Sequence, residues 1–197
     1  RVDTYKELFY LHPSVFTPDK QVLRDVGFNP DEPYILVRFV AWNASHDIGK
    51  KGLDDAGKIA LVKKLSQYGR VYVSAEGNVP EELKPYLLNT PYELIHHVLA
   101  FAKLVYSEGA TMASEAVMLG THALYVNVIK SGSTQEQSER FQLLYNFNDG
   151  ADRYEKATAK AIELLETPDL EQQGAQKLEK LLAEKVDINQ YYMEEMD

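Results

Sequence analysis

A chain of 197 residues, 45% of them apolar and 26% charged, can bury a sizeable core and is too apolar to be disordered. Its formal net charge of −9 argues against gripping a nucleic-acid backbone, and the absence of cysteine excludes disulfides, thiolate catalysis and zinc–cysteine sites. No apolar run reaches the length of a membrane span and no signal-peptide pattern is present, so no stable membrane insertion is expected and the expected location is cytoplasmic.

In chain order, residues 1–32 contain "HPSVFTPD", are punctuated by proline, and are expected to be a linker leading into the core. The chain starts at Arg1 rather than methionine, as expected of a piece from within a longer gene product. "YILVRFVAW" (34–42) predicts a buried strand. "DDAGKIALVKKLSQYG" sets Ile59, Leu61, Val62 and Leu65 near one face and predicts a helix with Gly69 as its C-cap. "RVYVSAE" predicts the second strand, "EELKPY" a short helical turn ended by Pro85, and "PYELIHHVLAFA" a helix starting at Pro91. "KLVYS" is a brief strand, and "GATMASEAVMLG" a helix ended by Gly120. "HALYVNV" is another strand, and "TQEQSERF" is a polar helix before the strand "LLYNF". Helices follow at 152–166 and 170–184, then a short acidic tail from Asp187.

Strands alternating with helices at these spacings predict right-handed βαβ units. The fold class is therefore α/β, a three-layer domain whose parallel sheet has about five to six strands. Residues 33–150 would be the Rossmann-like core, with 151–197 as helices packing on it. In such a sheet ligands bind outside the carboxyl ends of the strands. The loops expected there are "NASHDIGKKG", "SAEGNVPEE", "SEGAT" and "IKSGSTQEQ", all rich in glycine and polar residues, whereas the opposite connections "SQYGR" and "LGTHA" are short.

The stretch Tyr106–Gly120, "YSEGATMASEAVMLG", holds the sharpest question. Gly109 in the turn and Thr111 near the N-cap would leave backbone N–H groups free for an anion such as a diphosphate. Glu115 would be too close to that anion to contact the same phosphates, but it could accept from the two vicinal hydroxyls of a ribose lying beyond them. The alternative is that Glu115 complements the helix dipole, worth a few tenths to about 1 kcal/mol. Ser114, three residues after Thr111, stands where a capping box would want an acid.

Elsewhere, consecutive Ser45, His46 and Asp47 cannot form a triad, because they cannot all aim at one atom. His46 and Asp47 are read either as contacts to phosphate or acceptor or as a solvated loop. Arg38, inside a strand, is either one half of a structural ion pair or a phosphate contact. His96 and His97 point about 100° apart on a helix and cannot chelate one metal together, so no metal is expected.

"SEGATMASEAVMLGTHALYVN" (107–127) resembles the nucleotide-sugar-binding segment of the GT-B superfamily. That superfamily includes the N-acetylglucosaminyltransferase of peptidoglycan synthesis and the non-hydrolysing UDP-N-acetylglucosamine 2-epimerases. "HPSVFTPD", "VRFVAWNASHDIG", "GATMASEA" and "LLYNFNDG" together resemble an uncharacterised GT-B-like family of bacteria and archaea, a domain of unknown function. The resemblance implies the C-terminal half of a GT-B fold, the half that grips the nucleotide of a sugar donor. Its partner would be an N-terminal Rossmann-like domain of the same protein, which would supply any catalytic base.

Carried over residue by residue, Glu115 would bind the ribose diol, with Gly109, Ala110 and Thr111 near the diphosphate, and Ser114, of the Ser/Glu pair, would be a further ligand-binding residue. Ser74 and Glu76 would lie near the base, Asn43 and His46 in the first loop, and Gln135 and Gln137 toward the sugar. No cofactor is implied; a nucleotide-sugar, UDP-linked in the named relatives, would be the substrate. The function implied is the donor-binding half of a glycosyltransferase, with two alternatives: a sugar-nucleotide 2-epimerase half, or a non-catalytic binding or scaffold module. His122 stands where the pattern has proline, which reads as a packing change.

Overall fold

The computed structural model describes residues 2–29, 31–41 and 52–195. Five parallel strands form one sheet: β1 (Tyr34–Phe39), β2 (Arg70–Ala75), β3 (Leu104–Ser107), β4 (Ala123–Val126) and β5 (Leu144–Phe147), in the order β2-β1-β3-β4-β5. The helices are α1 (Leu8–Leu11), α2 (Lys20–Asp25), α3 (Asp55–Leu65), α4 (Ile95–Ala100), α5 (Ala110–Met118), α6 (Gly132–Glu136), α7 (Arg153–Glu166), α8 (Leu170–Glu184) and α9 (Ile188–Glu195).

Strand periodicity builds two cores. On β1, Ile35, Val37 and Phe39 face α3 and α7, joining Leu61, Val62 and Leu65 with Ala157, Ala161 and Leu164. The alternate residues Tyr34 and Leu36 face the other way, into a core with Ile95, Val98 and Leu99 of α4, Ala113, Ala116 and Val117 of α5 and Leu181 of α8. The segment expected to be a linker packs into this second core: Tyr5, Leu8, Leu11, Leu23 and Phe28 are all buried there. Their apolar contacts outweigh the proline punctuation that suggested an open tether.

Several boundaries differ from expectation. β1 ends at Phe39, before Trp42. Gly69 is not the cap of α3, which ends at Leu65 with Ser66 following. Instead Gly69 turns the chain into β2 beside the Pro33 carbonyl oxygen, which would lie 3.0 Å from a Cβ. Pro91 precedes a 3₁₀ turn, Tyr92–Leu94, and α4 starts only at Ile95. Pro85 lies within its 3₁₀ turn (Glu81–Tyr86) rather than ending it. The polar helix is split into α6 and a π-helical turn, Gln137–Phe141.

α5 ends as expected at Gly120, which has φ 81°. Thr121 N–H donates to Ala116 O at 2.9 Å and Gly120 N–H to Val117 O at 3.0 Å, the paired bonds of a Schellman cap. Gly174 of α8 lies against this turn: a Cβ built on it would fall onto the Gly120 carbonyl oxygen. Beside them His122 is buried, its Nε2 3.1 Å from Lys177 Nζ. Because the ammonium can only donate, the ring accepts at Nε2 and its proton sits on Nδ1. Burial, with Lys177 and Lys160 nearby, pushes the His122 pKa down to about 4. The ring is therefore buried and neutral.

Candidate functional site

The chain runs from β1 outward to β2 and then returns to place β3 on the other side of β1. The crevice outside the carboxyl ends of β1 and β3 is therefore the topological switch point. Arg38, on the same face of β1 as Tyr34 and Leu36, pairs in register with Ser74 of β2 and Ser107 of β3. Its Nη1 donates to Ser74 Oγ at 2.8 Å and its Nη2 to Glu76 Oε1, while Glu76 Oε2 accepts from Ala41 N–H at 3.3 Å. Of the two readings of Arg38, the ion pair is the one present. Ser74 and Glu76 come together as its partners.

β3 hands the chain to α5 through Ser107, Glu108 and Gly109. Gly109 is the N-cap, with extended φ −100° and ψ 126°, and its side-chain-free position leaves the helix start without a side-chain cap. Thr111, expected near the cap, is the second helical residue and is exposed. Ser107 Oγ accepts from Gly109 N–H at 3.0 Å and donates to Gly109 O at 2.7 Å, so the hydroxyl shapes the turn rather than the helix start. The backbone N–H groups of Ala110 and Thr111 thus open the helix at the sheet's carboxyl edge, where the dipole favours an anion.

Glu115 sits in the second turn of α5, whose first turn carries no acid. Dipole complementation falls off beyond the first turn, so it contributes little here. The Glu115 side chain is 12% exposed; its Oε1 accepts from Tyr10 Oη–H at 3.0 Å and lies 3.3 Å from His96 Nε2. Burial, followed by the Glu115 charge, pushes the Tyr10 phenol pKa well above its ordinary value. Glu7, buried near the same face, has its carboxyl pKa raised chiefly by burial.

Other expected residues lie elsewhere. Ser114 and Gln137 are buried against each other, with Gln137 Nε2 donating to Ser114 Oγ at 2.7 Å, so neither faces the open edge. Ser114 is the fifth residue of α5, too far along to meet its free N–H groups, and the π-helical turn rotates Gln137 inward. Gln135 is exposed on α6 and pairs with Glu139. Asn43, His46 and Asp47 lie outside the described residues.

Sequence reasoning missed Glu108. This fully buried carboxylate accepts from Val40 N–H at 3.1 Å, Leu53 N–H at 3.5 Å and Tyr154 Oη–H at 2.7 Å. It thereby fixes both ends of the connection between β1 and α3. Asn127 Nδ2 donates to Glu108 O at 2.8 Å, and Asn148 Nδ2 to Asn127 O at 2.6 Å. With the Glu76–Ala41 bond, polar side chains tie together the chain leaving all five strands. An acid placed among small residues right after a buried strand was the available signal. A concavity of about 640 Å³, lined by Pro33, Phe101, Lys103, Gly120 and Glu171, opens at the opposite edge of the sheet, away from α5's first turn.

A putative UDP-N-acetylglucosamine 2-epimerase from Listeria monocytogenes superposes with TM-score 0.56 at 16% identity, over 86% of this chain and 46% of its own. The calicheamicin glycosyltransferase CalG4 gives 0.54 at 19%, over 85% and 42%. Os79 from O. sativa, a variant in complex with UDP, gives 0.53 at 13%, over 88% and 42%. The chain has the fold of one half of a GT-B protein. It spans less than half the length of these structures. No family model matches the chain, and no curated protein matches it. Among the described residues, no helix is long and apolar enough to cross a membrane.

Proposed function

We propose that this chain is the nucleotide-sugar-binding half of a GT-B-like glycosyltransferase. The observation that carries the reading is the α5 start: a glycine N-cap with no side-chain cap, at the switch point, with Glu115 held one turn further in. The diphosphate of the donor would rest on the first-turn N–H groups, and Glu115 would accept the ribose diol. Arg38 lies on the same face of the sheet at the same edge, but its guanidinium is already engaged by Ser74 and Glu76, so it is not counted among the donors to the diphosphate. Burial of Gln137 and Ser114 removes them from this site, so the sugar would be read by Gln135, by loop residues and by the companion domain.

A 2-epimerase half is the second reading, favoured by the likeness to the Listeria structure. Both readings share the nucleotide grip, and the acid/base chemistry of either would come from the companion domain. Thermal melts of the chain with UDP-, GDP-, dTDP- and CMP-sugars test the grip. At a hundredfold excess over Kd, a true ligand adds about 2.7 kcal/mol, a rise of roughly 5–10 °C for a domain of this size. One nucleotide class should stand out in this way; a flat response to all four would contradict the reading.

A further inference from the structure

Tyr10 lies in α1, between residues that anchor the helix. Leu8 and Leu11 are buried, whereas Tyr10 is 41% exposed and fills no core. Its ring lies beside that of His96, with centroids 5.5 Å apart, and its hydroxyl donates to Glu115 Oε1. Chemically, a phenol O–H on a carboxylate oxygen is the same donor that a sugar hydroxyl would be. Tyr10 Oη and His96 Nε2 both lie on Oε1, filling its two lone-pair positions, so a diol that uses both carboxylate oxygens reaches Oε1 only when one of the two leaves.

We propose that Tyr10 is a latch on Glu115, an internal hydroxyl that competes with the ribose for the same oxygen; this rests on the nucleotide-binding reading of Glu115. The surroundings let the latch open while the carboxylate stays in place. Rotation of Tyr10 sends its hydroxyl to water and gives up one tilted ring contact, while the buried leucines keep α1 seated. His96 differs from it. It is carried by α4, whose Ile95, Val98 and Leu99 are buried, and Phe16 packs edge-on against its ring at 5.9 Å. His96 therefore continues to hold Glu115 when Tyr10 leaves. The latch sets nucleotide affinity below what the carboxylate would otherwise reach.

The Tyr10→Phe variant keeps the ring and removes only the competing O–H at a part-exposed position. Calorimetric titration of wild type and Y10F with UDP, GDP and dTDP decides the matter. For the diphosphate that binds wild type, Y10F should bind about three- to tenfold more tightly, the net worth of one hydrogen bond. Equal or weaker binding by Y10F, with wild type binding intact, overturns the latch and leaves the nucleotide reading standing; weaker binding would make Tyr10 a support that orients Glu115. No binding by either protein overturns the nucleotide reading and the latch with it.

Discussion

The two edges of the sheet are built on different principles. At the amino edge, backbone meets backbone: Gly174 presses on the Gly120 turn, and His122 is buried neutral beneath Lys177. At the carboxyl edge, polar side chains do the joining: Glu108, Asn127, Asn148 and Glu76 tie successive loops together, and the start of α5 is left open. The backbone contact at Gly174 and Gly120 closes the amino edge at that turn, beside the concavity lined by Lys103 and Glu171. An edge held by side-chain hydrogen bonds can expose backbone N–H groups without losing its shape. The difference teaches where to look for stability and where to look for binding, and each can be perturbed without the other.

The largest effect is expected at the amino edge. Gly174→Ala would gain about 1 kcal/mol from helix propensity alone. The new Cβ, however, meets a carbonyl oxygen in the backbone of a capped turn, which cannot give way as a side chain can. Overpacking of this kind costs up to about 3 kcal/mol, so the clash should win and urea unfolding should show a net loss of up to about 2 kcal/mol. A more stable variant would mean that α8 does not press on the turn. Nucleotide binding should be unchanged in either case.

His122 makes the same edge sensitive to acid. Its folded pKa of about 4 lies below the ordinary 6.5, so the unfolded chain takes up the proton first. The contribution is complete above about pH 6.5 and is lost as pH falls toward about 4, amounting to about 2 kcal/mol by pH 5. Urea melts of wild type and His122→Gln across this range should converge on acidification. Parallel curves would show that the ring is not held neutral.

Much of this contrast was legible in the sequence, but unevenly. The alternation of strands with helices gave the α/β class, and glycine in "SEGAT" placed the open helix start after a strand. The asymmetry between long polar loops and short opposite connections pointed to the carboxyl edge, where the proposed site lies. What the sequence hid were pairings between distant residues. Tyr10 and Glu115 are 105 positions apart, and Lys185 bonds Asp3 across 182. Neither belongs to a local pattern that periodicity can detect. Proline punctuation masked the apolar spacing of Tyr5, Leu8 and Leu11, whose burial becomes evident only once the sheet supplies a surface. Gln135 and Gln137 looked equivalent because the π-helical turn that buries one of them has no sequence signature.

The central claim is that the carboxyl edge grips a nucleotide through Glu115 while contributing little to stability. Calorimetric titration of wild type and Glu115→Gln with the diphosphate selected by the thermal panel tests it most directly. Glutamine keeps the size but removes the charge that strengthens two hydrogen bonds to a diol. The account predicts a loss of about 2 kcal/mol, roughly thirtyfold in Kd, with stability changed by less than about 1 kcal/mol. Equal dissociation constants together with a lowered melting temperature would contradict it and leave Glu115 as an anchor between α5, α1 and α4.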